Sequence, residues 1–267
     1  MTKDDSPSLT RRDALVALAA SGATLAGCAH PALAKSAPPA KAPAPQSTTT
    51  AQSGGSAMAS SPALAGTHTL VPLPFKATAL NGISERMITS HHDNNYAGAV
   101  KNLNKVEQAL AETKLDTPPF VVAGLRQSEL TFRNSKSLHE AYFGNLGGDG
   151  KRSGAIEKAL AEAYGASSRW EEHFRATGAG LGGGSGWVIL GLELDTGALR
   201  TCWSGNHTQV LATSVPLLVM DMYEHAYQMD FGAGAAKYID AFFVNIRWDE
   251  VNRRLERALS ASKALRA

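Results

Sequence analysis

The amino-acid sequence predicts an α+β fold in which an N-terminal helical hairpin is followed by a small antiparallel three-stranded sheet flanked by helices. Helical periodicity fills the first part of the apolar-rich region, three short apolar runs and a hairpin turn follow, and helical periodicity then returns. This order, with helices and strands segregated along the chain, is typical of α+β proteins.

The hairpin is predicted from two long segments with apolar residues at helical spacing. Residues 83–113 carry the first pattern and residues 120–142 the second, and Pro118-Pro119 interrupts the chain between them. Because proline cannot continue a preceding helix, the two segments are expected to be separate helices joined by a short turn. Two further helical patterns, over residues 155–176 and 235–259, are expected to flank the sheet.

Three strands are predicted between those flanking helices. Residues 187–192 and 199–203 are short apolar runs joined by Asp195-Thr196-Gly197, a turn sequence common in β-hairpins. A third run, residues 215–220, leads directly to Asp221. The sheet is therefore expected to be small and antiparallel.

The N-terminus has the composition of a targeting segment. Residues 1–34 contain Arg11-Arg12, an apolar stretch too short to span a bilayer with confidence, and Leu25-Ala26-Gly27-Cys28. The arginine pair resembles a bacterial Tat signal, and the last four residues resemble a lipobox in which Cys28 becomes lipidated. Cleavage after Ala32-Leu33-Ala34 is the alternative. The protein is thus expected to be periplasmic or anchored to the envelope, with lipid at Cys28 favoured.

Three further segments complete the predicted domain organisation. Residues 35–67 are rich in Ala, Pro and Ser and are expected to form a flexible tether. Residues 68–145 are expected to form the helical hairpin domain and residues 146–267 the α+β C-terminal domain. The 26 basic and 24 acidic residues leave no basic excess for phosphate binding, so nucleic acid is not expected as a partner.

A metal site is the chemistry that the sequence favours. His91 and His139 fall on the two predicted helices of the hairpin, where facing imidazoles could reach the same gap. Asp221 and His225 offer a carboxylate and an imidazole four residues apart, at the end of a very apolar strand. Spacing alone leaves open that these are surface or satisfied core residues.

The surrounding sequence closely resembles the iron/manganese superoxide dismutase family over nearly all of residues 70–260. Five segments carry the resemblance in the same order as in the family: Asn102-Leu103-Asn104, Leu138-His139-Glu140-Ala141-Tyr142-Phe143, Gly184-Ser185-Gly186-Trp187, Asp221-Met222-Tyr223-Glu224-His225-Ala226-Tyr227 and Trp248-Asp249-Glu250-Val251. The fourth is similar to the family signature D-x-W-E-H-A-Y and is the most specific of them.

The resemblance implies a superoxide dismutase with one iron or manganese ion per subunit, held by His91, His139, Asp221 and His225. It also places His207 as a catalytic residue, where many members have a Gln that hydrogen-bonds the solvent on the metal. A His occupies that position in some iron-using members, and the alternative Gln position is the small Ser135 here, so iron is preferred. Glu224 is similar to the residue that reaches the partner's ligand His, which implies a homodimer.

Several positions depart from the family. The usual Tyr eight residues after the first ligand is Ala99, the usual His four residues after it is Asn95, and the Tyr that meets that His is Gln228. Phe143 and Tyr223 stand where Trp is common. Tyr96 is close in sequence to Ala99 but about 60° away around an α-helix, so it is not expected to substitute. The alternative function is therefore a catalytically weak metal-binding envelope protein of the same fold.

Overall fold

The computed structural model of this chain describes residues 61–267. The predicted signal peptide, the lipobox at Cys28 and most of the predicted tether lie outside the described residues. Within 61–267, no helix combines the length and the apolar character needed to cross a membrane.

The predicted helical hairpin is present. Its first arm runs through α1 (Glu85–Ser90), a π-helical turn (His91–Tyr96) and α2 (Ala97–Ala111), and its second arm is α3 (Pro119–Gly144). Proline at the first position of α3 suits a helix start, where an amide hydrogen is not needed. The two arms pack along their apolar faces, and the π-helical turn is a feature that the sequence pattern did not predict.

The three predicted strands form one antiparallel sheet. They are β1 (Trp187–Glu193), β2 (Leu199–Ser204) and β3 (Ser214–Asp221), in the order β2-β1-β3. The central strand β1 is almost wholly buried, which explains its continuous apolar run. Trp187, the first residue of β1, lies opposite Asp221, the last residue of β3.

The flanking helices are more divided than their periodicity predicted. The segment expected as one helix over residues 155–176 is two helices, α4 (Ala155–Tyr164) and α5 (Ser167–Ala179). Gly165 separates them with a φ of +81°, a left-handed conformation that glycine adopts without strain.

The last helical segment is also interrupted. A short α6 (Gln228–Phe231) precedes α7 (Ala235–Phe243) and α8 (Trp248–Arg266), so the pattern over residues 235–259 again covers two helices. Between α7 and α8 the chain pairs with the end of the hairpin, since the amide of Arg247 donates to the carbonyl of Asn145 over 2.9 Å. This tertiary pairing overrides the helical periodicity.

Two polar side chains, buried Asn145 and largely buried Arg254, tie the hairpin to the sheet. The side-chain oxygen of Asn145 accepts the amide of Val219 over 2.9 Å. The guanidinium of Arg254, on α8, donates to the carbonyls of Leu217 and Ala141, each over 3.1 Å. Because Ala141 lies on α3 and Leu217 and Val219 lie on β3, these bonds fix the second arm of the hairpin against the strand that ends at Asp221.

Candidate metal centre

The four residues proposed as ligands meet where the hairpin joins the sheet. His91 opens the π-helical turn, His139 lies on α3, Asp221 ends β3, and His225 lies in a 3₁₀ turn over Glu224–Ala226. One candidate ligand atom from each residue can be chosen so that all four lie within 4.8 Å of one another. Sequences far apart in the chain thus supply one compact cluster.

The imidazoles converge on one carboxylate oxygen. Asp221 Oδ2 lies 3.1 Å from Nε2 of His91, 3.3 Å from Nε2 of His225 and 3.7 Å from Nε2 of His139. The other oxygen, Oδ1, accepts the backbone amide of Tyr223 over 2.8 Å. His91, His139 and Asp221 are buried, whereas the His225 side chain keeps 27% of its surface exposed.

His139 is oriented by its own helix. Its Nδ1 donates to the carbonyl of Ser135 over 2.7 Å, so the neutral ring presents an unprotonated Nε2 to the cluster. A hydrogen bond of this kind commonly fixes the tautomer of a metal-ligating histidine. The hydroxyl of Ser135 lies 3.4 Å from the same nitrogen.

The electrostatics of the cluster suit a cation. Burial, followed by the neighbouring His91, lowers the pKa of His139 to about 3, and burial likewise lowers the pKa of His91. Burial alone would raise the pKa of Asp221, but His225 and His91 outweigh it and lower that pKa. His139 and His91 are therefore neutral and Asp221 is ionised near pH 7, which are the protonation states that metal binding needs.

In the part of the chain that the structure describes, two buried nitrogen atoms of the cluster lack a partner, as the ligand atoms of a metal site would. Among the partners available in residues 61–267, Nε2 of His139 and Nε2 of His225 find no aligned hydrogen bond although both atoms are buried. A buried polar atom without a partner is costly, and a ligand is one explanation for it. Three imidazole nitrogens and one carboxylate oxygen form a donor set that suits iron, manganese or zinc.

His207 lies beside the cluster and is held by three contacts. Its ring centroid is 6.4 Å from that of His139, and its Nδ1 accepts the indole N–H of Trp187 over 3.0 Å. Its ring stacks on Tyr223 at 4.9 Å, and its carbonyl accepts the side-chain amide of Asn134. Because an indole can only donate, the proton of neutral His207 resides on Nε2.

Burial supports this neutral form of His207, since it lowers the pKa of the ring. His207 is therefore a neutral hydrogen-bond donor through Nε2 near pH 7. The sequence indicated His207 but gave Trp187 no role. The available signal was a tryptophan at the start of one strand, paired with the strand that ends at Asp221.

Phe143 and Tyr223 both pack on candidate ligands. Phe143 lies 5.1 Å from the ring of His91, and Tyr223 stacks on His225 at 5.3 Å. Ala99 is buried, Asn95 is half-buried and Gln228 is exposed. Within residues 61–267 the side chains of Asn95 and Gln228 make no hydrogen bond, so the structure does not bring these two amides together in one chain.

Tyr96 is the residue that sequence reasoning set aside and that the structure places near the cluster. A π-helical turn closes on the fifth residue rather than the fourth, so it brings Tyr96 toward the side of the helix that carries His91. The buried ring of Tyr96 lies 6.1 Å from His139, with the two planes at 29°. No pattern in the sequence signalled the π-helical turn.

A site of three imidazoles and one carboxylate, between a helical hairpin and an antiparallel sheet, defines a mononuclear metal protein of the α+β class. Two family profiles match the chain: the α-hairpin domain of iron/manganese superoxide dismutases at residues 67–147, and the C-terminal domain of the same family at residues 152–254. The chain belongs to the iron/manganese superoxide dismutase family.

Curated relatives agree with this assignment. The chain is 44% identical to a superoxide dismutase [Fe] of Cupriavidus metallidurans, over 72% of this chain and 98% of that protein. It is 35% identical to a superoxide dismutase [Fe] of Aquifex pyrophilus, over 75% and 98% respectively. It is 32% identical to superoxide dismutase [Mn] 1 of Halobacterium salinarum, over 72% and 96%.

Proposed function

We propose that this chain is a superoxide dismutase, which converts two superoxide anions and two protons into dioxygen and hydrogen peroxide. The observation that carries the proposal is the convergence of His91, His139, His225 and Asp221 on one point, in a chain of this family. We assign these four residues as the metal ligands. An iron or manganese ion bound there would supply the one-electron oxidation and reduction that the reaction requires.

The chain's own residues would hold the charge and direct the protons. Asp221 contributes one buried negative charge, which partly balances a cation and is itself fixed by the amide of Tyr223. His207 has Nδ1 occupied by Trp187, so Nε2–H is the donor of its neutral ring. We assign His207 as the catalytic residue outside the ligand set. Its role would be to donate a hydrogen bond to a group bound at the metal site and so to orient that group.

Iron is the metal we favour over manganese. The support is the histidine at position 207 together with Ser135, whose small buried side chain leaves room beside His139. The relatives include proteins named for either metal. Metal analysis of the protein purified from its native host would decide the matter.

A homodimer is the assembly we favour, with Glu224 at the interface. Glu224 is exposed, and the neighbouring His225 is the most exposed of the four proposed ligands. A carboxylate from a second copy could accept a hydrogen bond from the ring of His225, as ligating histidines commonly require. The dimer would also cover the exposed Met229, which follows Gln228 at the start of α6.

Export to the periplasm or envelope is part of the proposal, with a Tat-like signal and a lipid on Cys28. Its support is the order of Arg11-Arg12, the apolar stretch and Leu25-Ala26-Gly27-Cys28. Superoxide is an anion that crosses membranes poorly, so an enzyme outside the cytoplasm would remove it where it forms. Mass spectrometry of the mature N-terminus tests this, since an unmodified start after Ala34 would contradict lipidation.

The alternative function is a catalytically weak metal-binding protein of the envelope. Ala99, Asn95 and Gln228 favour it, because none of them can supply the phenol or imidazole usual at these positions. The two functions share the ligands and differ in turnover.

A dismutase assay on the full chain, loaded separately with iron and manganese, separates them. Rates are expressed per protein chain and reported beside the bound metal content, and His225→Ala is the metal-poor control. Activity well above the control supports the enzyme. Stoichiometric metal without activity above the control would leave the alternative function, and a chain that binds neither metal would contradict both.

A further inference from the structure

A buried phenol links the two arms of the helical hairpin beside the cluster. Tyr96 is 1% exposed, and its hydroxyl donates to Oε1 of Glu140 over 2.7 Å. The same hydroxyl accepts the backbone amide of Val71 over 3.0 Å. Tyr96 lies at the end of the π-helical turn that begins with His91, and Glu140 directly follows His139 on α3.

The ring of Tyr96 covers His139 while its hydroxyl is bound to the residue next to His139. The two rings are stacked with centroids 6.1 Å apart, and the ring of Trp187 lies 5.1 Å from the same imidazole at nearly a right angle. The backbone bond from Nδ1 of His139 to Ser135 holds the imidazole relative to α3 alone, because both residues lie on that helix. The phenol of Tyr96 adds a contact to His139 and Glu140 from the other arm of the hairpin.

The acceptor is itself fixed. Lys136, one turn earlier on α3, lies 3.0 Å from the carboxylate of Glu140. On the other side, the ring of His92 lies between two acceptors, with Nε2 2.9 Å from the carbonyl oxygen of Val71 and Nδ1 2.7 Å from a carboxylate oxygen of Asp93. The segment around Val71 is therefore joined to the π-helical turn twice, and Tyr96 joins both to α3.

We propose that Tyr96 is a positioning residue for His139: through its bond to Glu140 it sets the distance between the π-helical turn that carries His91 and the helix that carries His139. The inference rests on the proposed metal site. It does not require Tyr96 to exchange protons, and it gives the π-helical turn a role at the site. Such turns are frequent at functional sites because they re-aim side chains.

The test compares Tyr96→Phe with Tyr238→Phe in the iron-loaded full chain. Both variants lose one buried phenol hydroxyl, and the hydroxyl of Tyr238 bonds only to that of Tyr142 within residues 61–267. The readouts are the rate at which a chelator removes iron and the electron paramagnetic resonance spectrum of the ferric protein. Tyr96→Phe is expected to release iron about tenfold faster than the wild type with a changed spectrum, as loss of outer hydrogen bonds does elsewhere.

Two substitutions of Glu140 test the same bond from its other end. Glu140→Gln keeps an oxygen acceptor for Tyr96 and should release iron within about threefold of the wild-type rate, whereas Glu140→Ala should behave like Tyr96→Phe. If Tyr96→Phe does not fold, Glu140→Ala replaces it in the test. The side chain of Glu140 is partly exposed, so we expect the fold to tolerate its removal.

Two results would overturn the inference. One is a wild-type release rate and spectrum in both Tyr96→Phe and Glu140→Ala. The other is an equal acceleration in Tyr96→Phe and Tyr238→Phe, which would show that the effect is not specific to the bond between Tyr96 and Glu140. A wild-type chain that holds no iron would instead contradict the proposed function, so the two failures are distinguishable.

Discussion

The indole N–H of Trp187 donates to Nδ1 of His207 over 3.0 Å, and this bond determines which ring nitrogen of neutral His207 carries the proton. Trp187 can do so because it begins β1 directly opposite Asp221 at the end of β3. The sheet register therefore places the residue that orients His207 beside a proposed metal ligand.

Replacing Trp187 by Phe should lower activity without removing the metal. The phenyl ring keeps most of the apolar volume, but His207 loses the donor that fixes its tautomer, so we expect activity per bound metal to fall about tenfold. Steady-state dismutase assays and metal analysis measure the two quantities. Trp170→Phe is the matched control, since within the described residues its buried indole nitrogen has no hydrogen-bond partner. Equal activity per metal in both variants would show that the bond to His207 is dispensable.

Removing the metal should lower the thermal stability of the wild-type protein. An ion that binds the folded state alone adds a stabilisation that grows with its concentration relative to Kd, about 2.7 kcal/mol at a hundredfold excess. We expect Tm, followed by circular dichroism, to fall by several degrees on chelation. His225→Ala lacks one proposed ligand, so its Tm should differ much less between chelator-treated and untreated samples. An unchanged wild-type Tm after verified metal loss would contradict coupling between the cluster and the fold.

Gly186→Ala should destabilise the protein by about 1–3 kcal/mol. Gly186 has a φ of +142°, and a Cβ there would collide with the carbonyl oxygen of Ser204 on the neighbouring strand β2. Chemical denaturation of the metal-free protein measures the effect. Gly184→Ala is the control, because its nearest heavy atom would be the carbonyl oxygen of Leu181 at an ordinary 3.5 Å. Equal losses of stability in the two variants would contradict the prediction, because the loop before β1 would then be adjusting to a Cβ at position 186.

Acid should destabilise the protein in part because it protonates Glu250. Burial alone would raise the pKa of this carboxylate, but hydrogen bonds from Arg253 and the charge of Arg254 lower it below its ordinary value. A carboxylate with a lowered folded pKa contributes stability that is fully present above its unfolded pKa, about 4.3, and is lost as pH falls through the folded value.

Glu250→Gln is therefore expected to cost about 3 kcal/mol at pH 7, because it leaves the largely buried Arg254 without its charge partner. The free energy of unfolding of the metal-free variant should differ less from that of the metal-free wild type at pH 3 than at pH 7, as measured by chemical denaturation. Glu256→Gln, on the exposed side of the same helix α8, is the control and should cost little at either pH. A difference that stays constant with pH would mean that ionised Glu250 is not stabilised by its arginines.

The pattern of the sequence predicted the helical hairpin and the strands closely, because both depend on local periodicity. The runs at residues 187–192, 199–203 and 215–220 correspond to β1, β2 and β3 within about one residue. The periodicity over residues 235–259 did not reveal the break between α7 and α8. There the chain pairs with Asn145, a contact distant in sequence.

The sequence by itself determined the helical hairpin, the three strands, the family resemblance and the four candidate ligands, since these depend on residue type, spacing and short motifs. The tertiary structure decided which other residues reach them. The π-helical turn brings Tyr96 against His139, the sheet register brings Trp187 to His207, and Arg254 joins α8 to α3 and β3. Each of these contacts joins segments far apart in the chain, and their geometry depends on helix closure and strand register, which no local pattern specifies.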